Sequence, residues 1–160
     1  MHALTQLKKN EGAHFVHGDF RQANILVRRR SPRIVVLDWE RAHLGSPASD
    51  VGMYLAEEFA LFLTPEIDRE FKVALLRKRC RAFVEGYLDV ARMHGQSDVK
   101  SFLDECTQWT GVGLLNRVLT LVDDSHRASA AATHLFKHAT WCLSSPRDAA
   151  KFLLGAIDGH

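Results

Sequence analysis

The residues with the clearest capacity for chemistry lie between His17 and Asp38. The segment HGDFRQAN places a carboxylate at Asp19 and an amide at Asn24, and Asp38 follows fourteen residues after Asn24, behind the apolar run IVVL. Transfer of a phosphoryl group needs a carboxylate that orients a hydroxyl and accepts its proton, together with oxygen ligands for magnesium on a triphosphate. Asp19 suits the first role. Asn24 and Asp38 suit the second, because magnesium prefers hard oxygen donors and keeps several waters.

A short β-hairpin is the element that must position these side chains. Two β-branched apolar runs, at 25–27 and 34–37, flank the arginine-rich segment 28–33, a pattern typical of two strands and a turn. Such a hairpin starts just after Asn24 and ends just before Asp38, so we expect both side chains to reach one edge together with Asp19. The arginines themselves, at 28, 29, 30 and 33, are interpreted as a solvated hairpin tip rather than as an anion site. The plain alternative for the whole segment is an ordinary turn rich in Gly and Asp.

The rest of the chain has the hydrophobic spacing of helices. Residues 1–10 are interpreted as the end of a helix, and residues 14–17 as a short extended lead-in. Helices are predicted at 50–63, 65–95, 99–122, 127–143 and 146–157. Ser49 or Asp50 is expected to cap the first of these, and Gly111 and Gly113 are positioned to interrupt the third.

Length and composition indicate one soluble domain spanning residues 1–160. Of these residues 46% are hydrophobic, and 21 basic against 19 acidic side chains leave a net charge of only +2, which argues against nucleic-acid or membrane partners. Three cysteines without CxxC spacing favour reduced, buried thiols over disulfides or a zinc site. With no signal-like N-terminus or apolar run long enough to span a bilayer, a cytoplasmic location is expected.

The run HGDFRQANILV, followed by VVLDWE, resembles the catalytic loop and metal-binding segment of the aminoglycoside phosphotransferase and choline kinase group, which has a protein-kinase-like fold. The resemblance implies that Asp19 is the catalytic base, that Asn24 and Asp38 bind magnesium, and that His17 supports the loop. It also implies that Asp50, in SPASDVGMYL, anchors the loop from the following helix, while simple helix capping is an equal alternative. The fold class implied is α+β, mostly α: a kinase-like C-terminal lobe in which a small hairpin bearing the catalytic loop precedes a helical bundle.

The activity implied by the resemblance is ATP-dependent transfer of the γ-phosphoryl group, with Mg²⁺, to a hydroxyl of a small molecule such as an aminoglycoside or choline. Complete members of the group carry an N-terminal lobe with a phosphate-covering loop, a strand lysine and a helix glutamate. Only sixteen residues precede His17, so we expect a partial phosphotransferase without that lobe, with weak ATP binding and little turnover. The alternative is a non-catalytic, pseudokinase-like binding or scaffold module. The sequence does not indicate an oligomeric state.

A few other side chains have two interpretations. Trp109, Trp141 and Tyr87 are suited to an acceptor pocket, although core packing is the simpler role. Glu40 is placed to face either the metal site or solvent. Arg41 and His43 follow the second predicted strand on a loop where an acceptor or phosphate could pass, although a solvated position is the simpler interpretation.

Overall fold

The fold is α+β and mostly helical. The computed structural model describes residues 14–30, 33–62, 69–93, 98–121 and 130–155; the predicted helix at 1–10 lies outside these ranges. Within these ranges lie four strands: β1 His14–Val16, β2 Ile25–Val27, β3 Ile34–Val36 and β4 His43–Gly45. The same ranges contain five helices, α1 Pro47–Phe62, α2 Arg69–Met93, α3 Val99–Leu121, α4 Ala130–Ser144 and α5 Pro146–Leu154, and single 3-10 turns at Gln22–Asn24 and Trp39–Arg41.

The strands form two antiparallel pairs, and these bracket the loop that carries the motif. The predicted hairpin is present: β2 pairs with β3, with Ile25 opposite Val36, and the backbone N–H of Arg28 donates to the carbonyl of Arg33 at 3.2 Å. The sequence did not predict the second pair, in which β1 meets β4 with Val16 opposite His43. Together the pairs hold the loop after β1 beside the loop after β3.

Helix α1 begins three residues before its predicted start. Pro47 is its first residue, where a fixed φ and a missing N–H do no harm. The hydroxyl of Ser46 accepts the N–H of Ala48 at 3.3 Å, so Ser46 caps the helix and the prediction of Ser49 or Asp50 as the cap was wrong. Asp50 instead lies within the first helical turn, which leaves its carboxylate available for a contact outside the helix.

The predicted interruption of α3 is also wrong, because α3 runs unbroken from Val99 to Leu121. Glycines on both α1 and α3 serve close packing instead. A Cβ on Gly113 would lie 2.6 Å from the Cβ of Ala56 in α1, and a Cβ on Gly52 would lie 2.4 Å from the Cβ of Trp109 in α3. These separations are impossible for real side chains, so glycine permits α1 and α3 to pack at short range, which offsets its poor helix propensity.

The core is built by the helices and contains all three cysteines. Cys80, Cys106 and Cys142 are free and buried, which confirms the prediction of buried thiols. Burial raises the pKa of Cys80 and of Cys142 to about 12, since a thiolate is poorly solvated there. The largest fully buried apolar side chains are Leu55, Leu88, Leu114, Leu135 and Leu153.

The strand layer, in contrast, exposes much apolar surface. Large hydrophobic side chains on the strands and the loop after β3 are between 41% and 69% exposed: Phe15, Leu26, Val27, Ile34, Val35, Leu37, Trp39 and Leu44.

Among the described residues, no helix is both long and apolar enough to cross a bilayer.

Candidate active site

Asp50 fixes the start of the motif loop to helix α1. Its carboxylate accepts two backbone hydrogen bonds, from the N–H of His17 at 2.6 Å and from the N–H of Gly18 at 2.9 Å. Hydrogen bonds to an ionised acceptor are about twice as strong as neutral ones. Asp50 is therefore a structural anchor for the residues that immediately precede Asp19, and not a helix cap.

Gly18 lies where only glycine fits. Its φ is +76°, a left-handed conformation that disfavours a side chain. A Cβ there would also lie 2.3 Å from the carbonyl oxygen of Arg41. The glycine of the HGD sequence thus lets the motif loop turn tightly against the 3-10 turn Trp39–Arg41.

His17 joins the two loops through its ring. Nε2 lies 2.7 Å from the carbonyl oxygen of Leu37, and Nδ1 lies 3.2 Å from the backbone nitrogen of Asp19. The neutral, Nε2-protonated tautomer satisfies both contacts, because it donates to Leu37 and accepts from Asp19. The ring is only 2% exposed and packs 4.7 Å from the ring of Trp39, so it sets the position of Asp19 relative to the residue before Asp38.

Asp19 and Asn24 are in direct contact. The Nδ2 group of Asn24 donates to the backbone carbonyl of Asp19 at 2.9 Å and lies 3.4 Å from its Oδ2. Arg21 places its Nε 3.3 Å from the same carboxylate oxygen. Since Nδ2 of Asn24 is occupied by Asp19, the Oδ1 atom is the one left to meet a cation.

Asp38 follows the strand that returns to this loop. The backbone N–H of Leu37 donates to the carbonyl of Asn24 at 2.8 Å, so the residue before Asp38 is tied to the motif from both sides. Asp38 itself has φ 64° and ψ 58°, the one non-glycine residue with positive φ in the described ranges. Such a conformation costs of order 1 kcal/mol and persists where the surroundings enforce it. Its side chain is exposed and accepts no hydrogen bond from the described residues.

A buried polar network supports the motif loop from below. Glu58 of α1 is fully buried, and its Oε1 accepts hydrogen bonds from the side chain of Gln22 and, at 2.8 Å, from Nη2 of Arg79 in α2. Burial, followed by the charge of Glu58, raises the pKa of the adjacent Tyr54. Sequence reasoning missed this network because its members lie 21 and 36 residues apart along the chain.

Aromatic packing completes the support. Phe20, the residue after Asp19, lies 6.1 Å from the rings of both Tyr54 and Phe83, and those two rings stack at 3.9 Å. The motif loop is thus seated on α1 and α2 together. Tyr87, Trp109 and Trp141 pack partly buried against the hydrophobic core, which confirms their interpretation as packing residues.

A pocket of about 250 Å³ opens beside Asp19. Its charged lining comes from the motif loop, the 3-10 turn and two helices: Asp19, Arg21, Arg41, Glu57 and Arg117. Asn116 and Thr120 of α3 add polar groups. Arg41 is exposed, as the sequence predicted, and it also lines this pocket, which agrees with the alternative that an acceptor or phosphate passes beside it.

The comparison with protein families decides the classification. A family model described as the phosphotransferase enzyme family matches residues 2–92, more than half of the chain. The chain belongs to this family. No curated protein matched the chain.

The matched range of this phosphotransferase family member contains the whole motif loop, Asp38, Asp50 and the Glu58 network. It ends near the end of α2, so the part of the pocket contributed by α3 lies beyond it. Within the described ranges, no group of three or more His, Cys, Asp or Glu side chains is arranged to hold a metal ion.

Proposed function

We propose that this chain is the catalytic-loop part of an ATP-dependent phosphotransferase with a kinase-like C-terminal lobe, which transfers the γ-phosphoryl group to a hydroxyl of a small molecule. The observation that carries the proposal is the contact of Asp19 with Asn24 on a loop tied to Leu37, the residue before Asp38. Family membership over residues 2–92 supports the reaction class.

Asp19 is the proposed catalytic base. Its carboxylate is mostly buried, with a side-chain exposure of 19%, yet it borders the pocket. A hydroxyl placed in that pocket would donate to Asp19 and lose its proton as the phosphoryl group arrives. The loop geometry enforced by Gly18, His17 and Asp50 keeps this carboxylate in place, and catalysis of this reaction depends mostly on positioning and electrostatics.

Asn24 and Asp38 fit magnesium by their chemistry. The free Oδ1 of Asn24 and the carboxylate of Asp38, which no described donor engages, are hard oxygen ligands of the kind this ion prefers. When bound, magnesium supplies positive charge that neutralises the phosphate oxygens of ATP. The left-handed backbone of Asp38 supports the proposal, since strained residues cluster at functional sites.

The test is phosphoryl transfer from radiolabelled ATP to a panel of hydroxylated small molecules, including an aminoglycoside and choline. We expect slow but measurable transfer by the wild-type chain. In Asp19→Asn, which keeps the shape but removes the base, we expect a loss of at least about a hundredfold or a fall to background. Asp104→Asn, at a surface ion pair with Arg147, is the matched control and should retain the wild-type rate.

Equal rates in the wild type and Asp19→Asn would end the enzymatic proposal and favour a non-catalytic binding module. A second variant, Asp38→Asn, addresses the metal separately. We expect it to raise the Mg²⁺ concentration needed for half-maximal transfer, whereas Asp19→Asn should lower the rate at every Mg²⁺ concentration.

A further inference from the structure

The pocket beside Asp19 has an unusual charge balance. Its lining contains three guanidinium groups, from Arg21, Arg41 and Arg117, and only two carboxylates, from Asp19 and Glu57. Both carboxylates already have a partner: Arg21 lies 3.3 Å from Asp19, and Arg117 lies 3.4 Å from Glu57.

Among the described residues that line the pocket, Arg41 is the cation without a carboxylate partner. It is exposed, and it forms no ion pair with any residue in the ranges that the structure describes. The 3-10 turn that carries Arg41 is held in place by two contacts. The backbone carbonyl of Arg41 accepts a hydrogen bond from Nδ1 of His43 at 2.9 Å, and the same carbonyl packs on Gly18. The pocket therefore presents one positive charge in excess, on a fixed segment of backbone.

A cationic acceptor would meet poor conditions here. To pair with Asp19 or Glu57 it would have to displace an arginine already in contact, and Arg41 would repel it. An anionic acceptor would displace nothing, because Arg41 forms no ion pair with the described residues. The guanidinium of Arg41 also presents a planar fork of donors that matches a carboxylate or phosphate. Asn116 and the oxygen of Thr120, whose own proton is donated to the carbonyl of Arg117, remain available to sugar-like hydroxyls.

We propose that the acceptor taken by this pocket is an anionic, hydroxylated small molecule, with its acidic group at Arg41 and a hydroxyl at Asp19. This inference rests on the proposed function and deepens it, because it names the acceptor class of the same site. It disfavours aminoglycosides and choline, which are cations. Arg41 lies inside the range that matches the family model, whereas the α3 residues of the pocket, Asn116, Arg117 and Thr120, lie beyond it.

A matched series of three sugars tests the proposal: glucuronate, glucose and glucosamine share one ring and differ in charge. Binding to the full chain is measured by ¹H–¹⁵N NMR titration without ATP or magnesium. We expect glucuronate to bind about five- to tenfold more tightly than glucose, with glucosamine weakest, as one partly screened charge predicts. Added salt should reduce the difference.

Variants of Arg41 provide the control. Arg41→Gln should bring the affinity for glucuronate to that for glucose, whereas Arg41→Lys should keep most of the preference because it keeps the charge. Glucosamine binding as tightly as glucuronate, or no glucuronate-induced shifts near the pocket, would overturn the inference. So would an unchanged preference in Arg41→Gln.

The two proposals fail separately. If glucuronate binds with the expected preference but no phosphoryl transfer occurs, the anionic pocket stands and the enzymatic proposal falls. If transfer occurs to glucosamine or choline as well as to glucuronate, the enzymatic proposal stands and the anionic class is wrong.

Discussion

Replacing Asp50 with asparagine tests the link between helix α1 and the motif loop. The wild-type carboxylate accepts two backbone N–H groups, at 2.6 Å from His17 and 2.9 Å from Gly18. An asparagine keeps the size and one acceptor oxygen. Its other polar atom is an NH₂ group, which would face a backbone N–H and cannot accept from it.

The expected cost follows from these contacts. One hydrogen bond to a charged acceptor is lost, worth about 1.5–3 kcal/mol when its donor is left unsatisfied. Asp50 also lies in the first turn of α1, where a negative charge contributes about 0.3–1 kcal/mol. Asp50→Asn should therefore lower the free energy of unfolding by about 2–4 kcal/mol, a large part of the roughly 5–15 kcal/mol typical of a domain.

Urea unfolding and amide hydrogen exchange measure the two parts of this prediction. The urea midpoint of Asp50→Asn should fall relative to wild type. The backbone amide of His17 or Gly18 should exchange its hydrogen faster than in wild type, under conditions where the helix amides stay protected from exchange. Asp104→Asn makes the same chemical change at a surface ion pair and should cost no more than about 1 kcal/mol. Equal midpoints for the two variants, with unchanged exchange at both amides, would refute the assignment of Asp50 as an anchor.

Three further predictions concern stability. Gly18→Ala should lower the free energy of unfolding by at least about 2 kcal/mol, because the position has a positive φ and a Cβ there would clash with the carbonyl of Arg41. In the same urea assay Gly86→Ala, where a Cβ meets nothing within 4 Å, should raise the free energy of unfolding by about 0.5–1 kcal/mol. Arg79→Met should lower the free energy of unfolding by about 2–3 kcal/mol, because it leaves the buried carboxylate of Glu58 without its cationic partner. A similar loss in Arg81→Met, which breaks the exposed pair with Glu85, would contradict that reasoning. Burial raises the pKa of Cys80 and Cys142 to about 12, so the folded state keeps thiol protons that the unfolded state loses above pH ~8.5. The contribution of these thiols to the free energy of unfolding is therefore complete below that pH and falls above it by about 1.4 kcal/mol per pH unit per thiol. Equal urea midpoints at pH 8 and pH 10 would exclude this pH dependence.

The sequence alone determined the parts of the protein that depend on local order. The β-branched apolar runs on either side of the arginine turn specified the hairpin of β2 and β3, because strand pairing across a short turn needs only neighbouring residues. The apolar spacing after residue 50 specified the helices to within a few residues. The eight residues from His17 to Asn24, with Asp38, indicated the family, and the family model confirms it.

The tertiary structure decided what depends on contacts between distant segments. Sequence could not show that β4 pairs with β1, that Glu58 lies beneath Gln22, or that Gly113 lets α3 approach α1 at Ala56. It also could not place Arg41 and Arg117 on one pocket, because 76 positions separate them. Charge and shape at that pocket arise only when the motif loop, the 3-10 turn and two helices are packed together. The proposed reaction therefore rests on the sequence motif, and the proposed acceptor class rests on the fold.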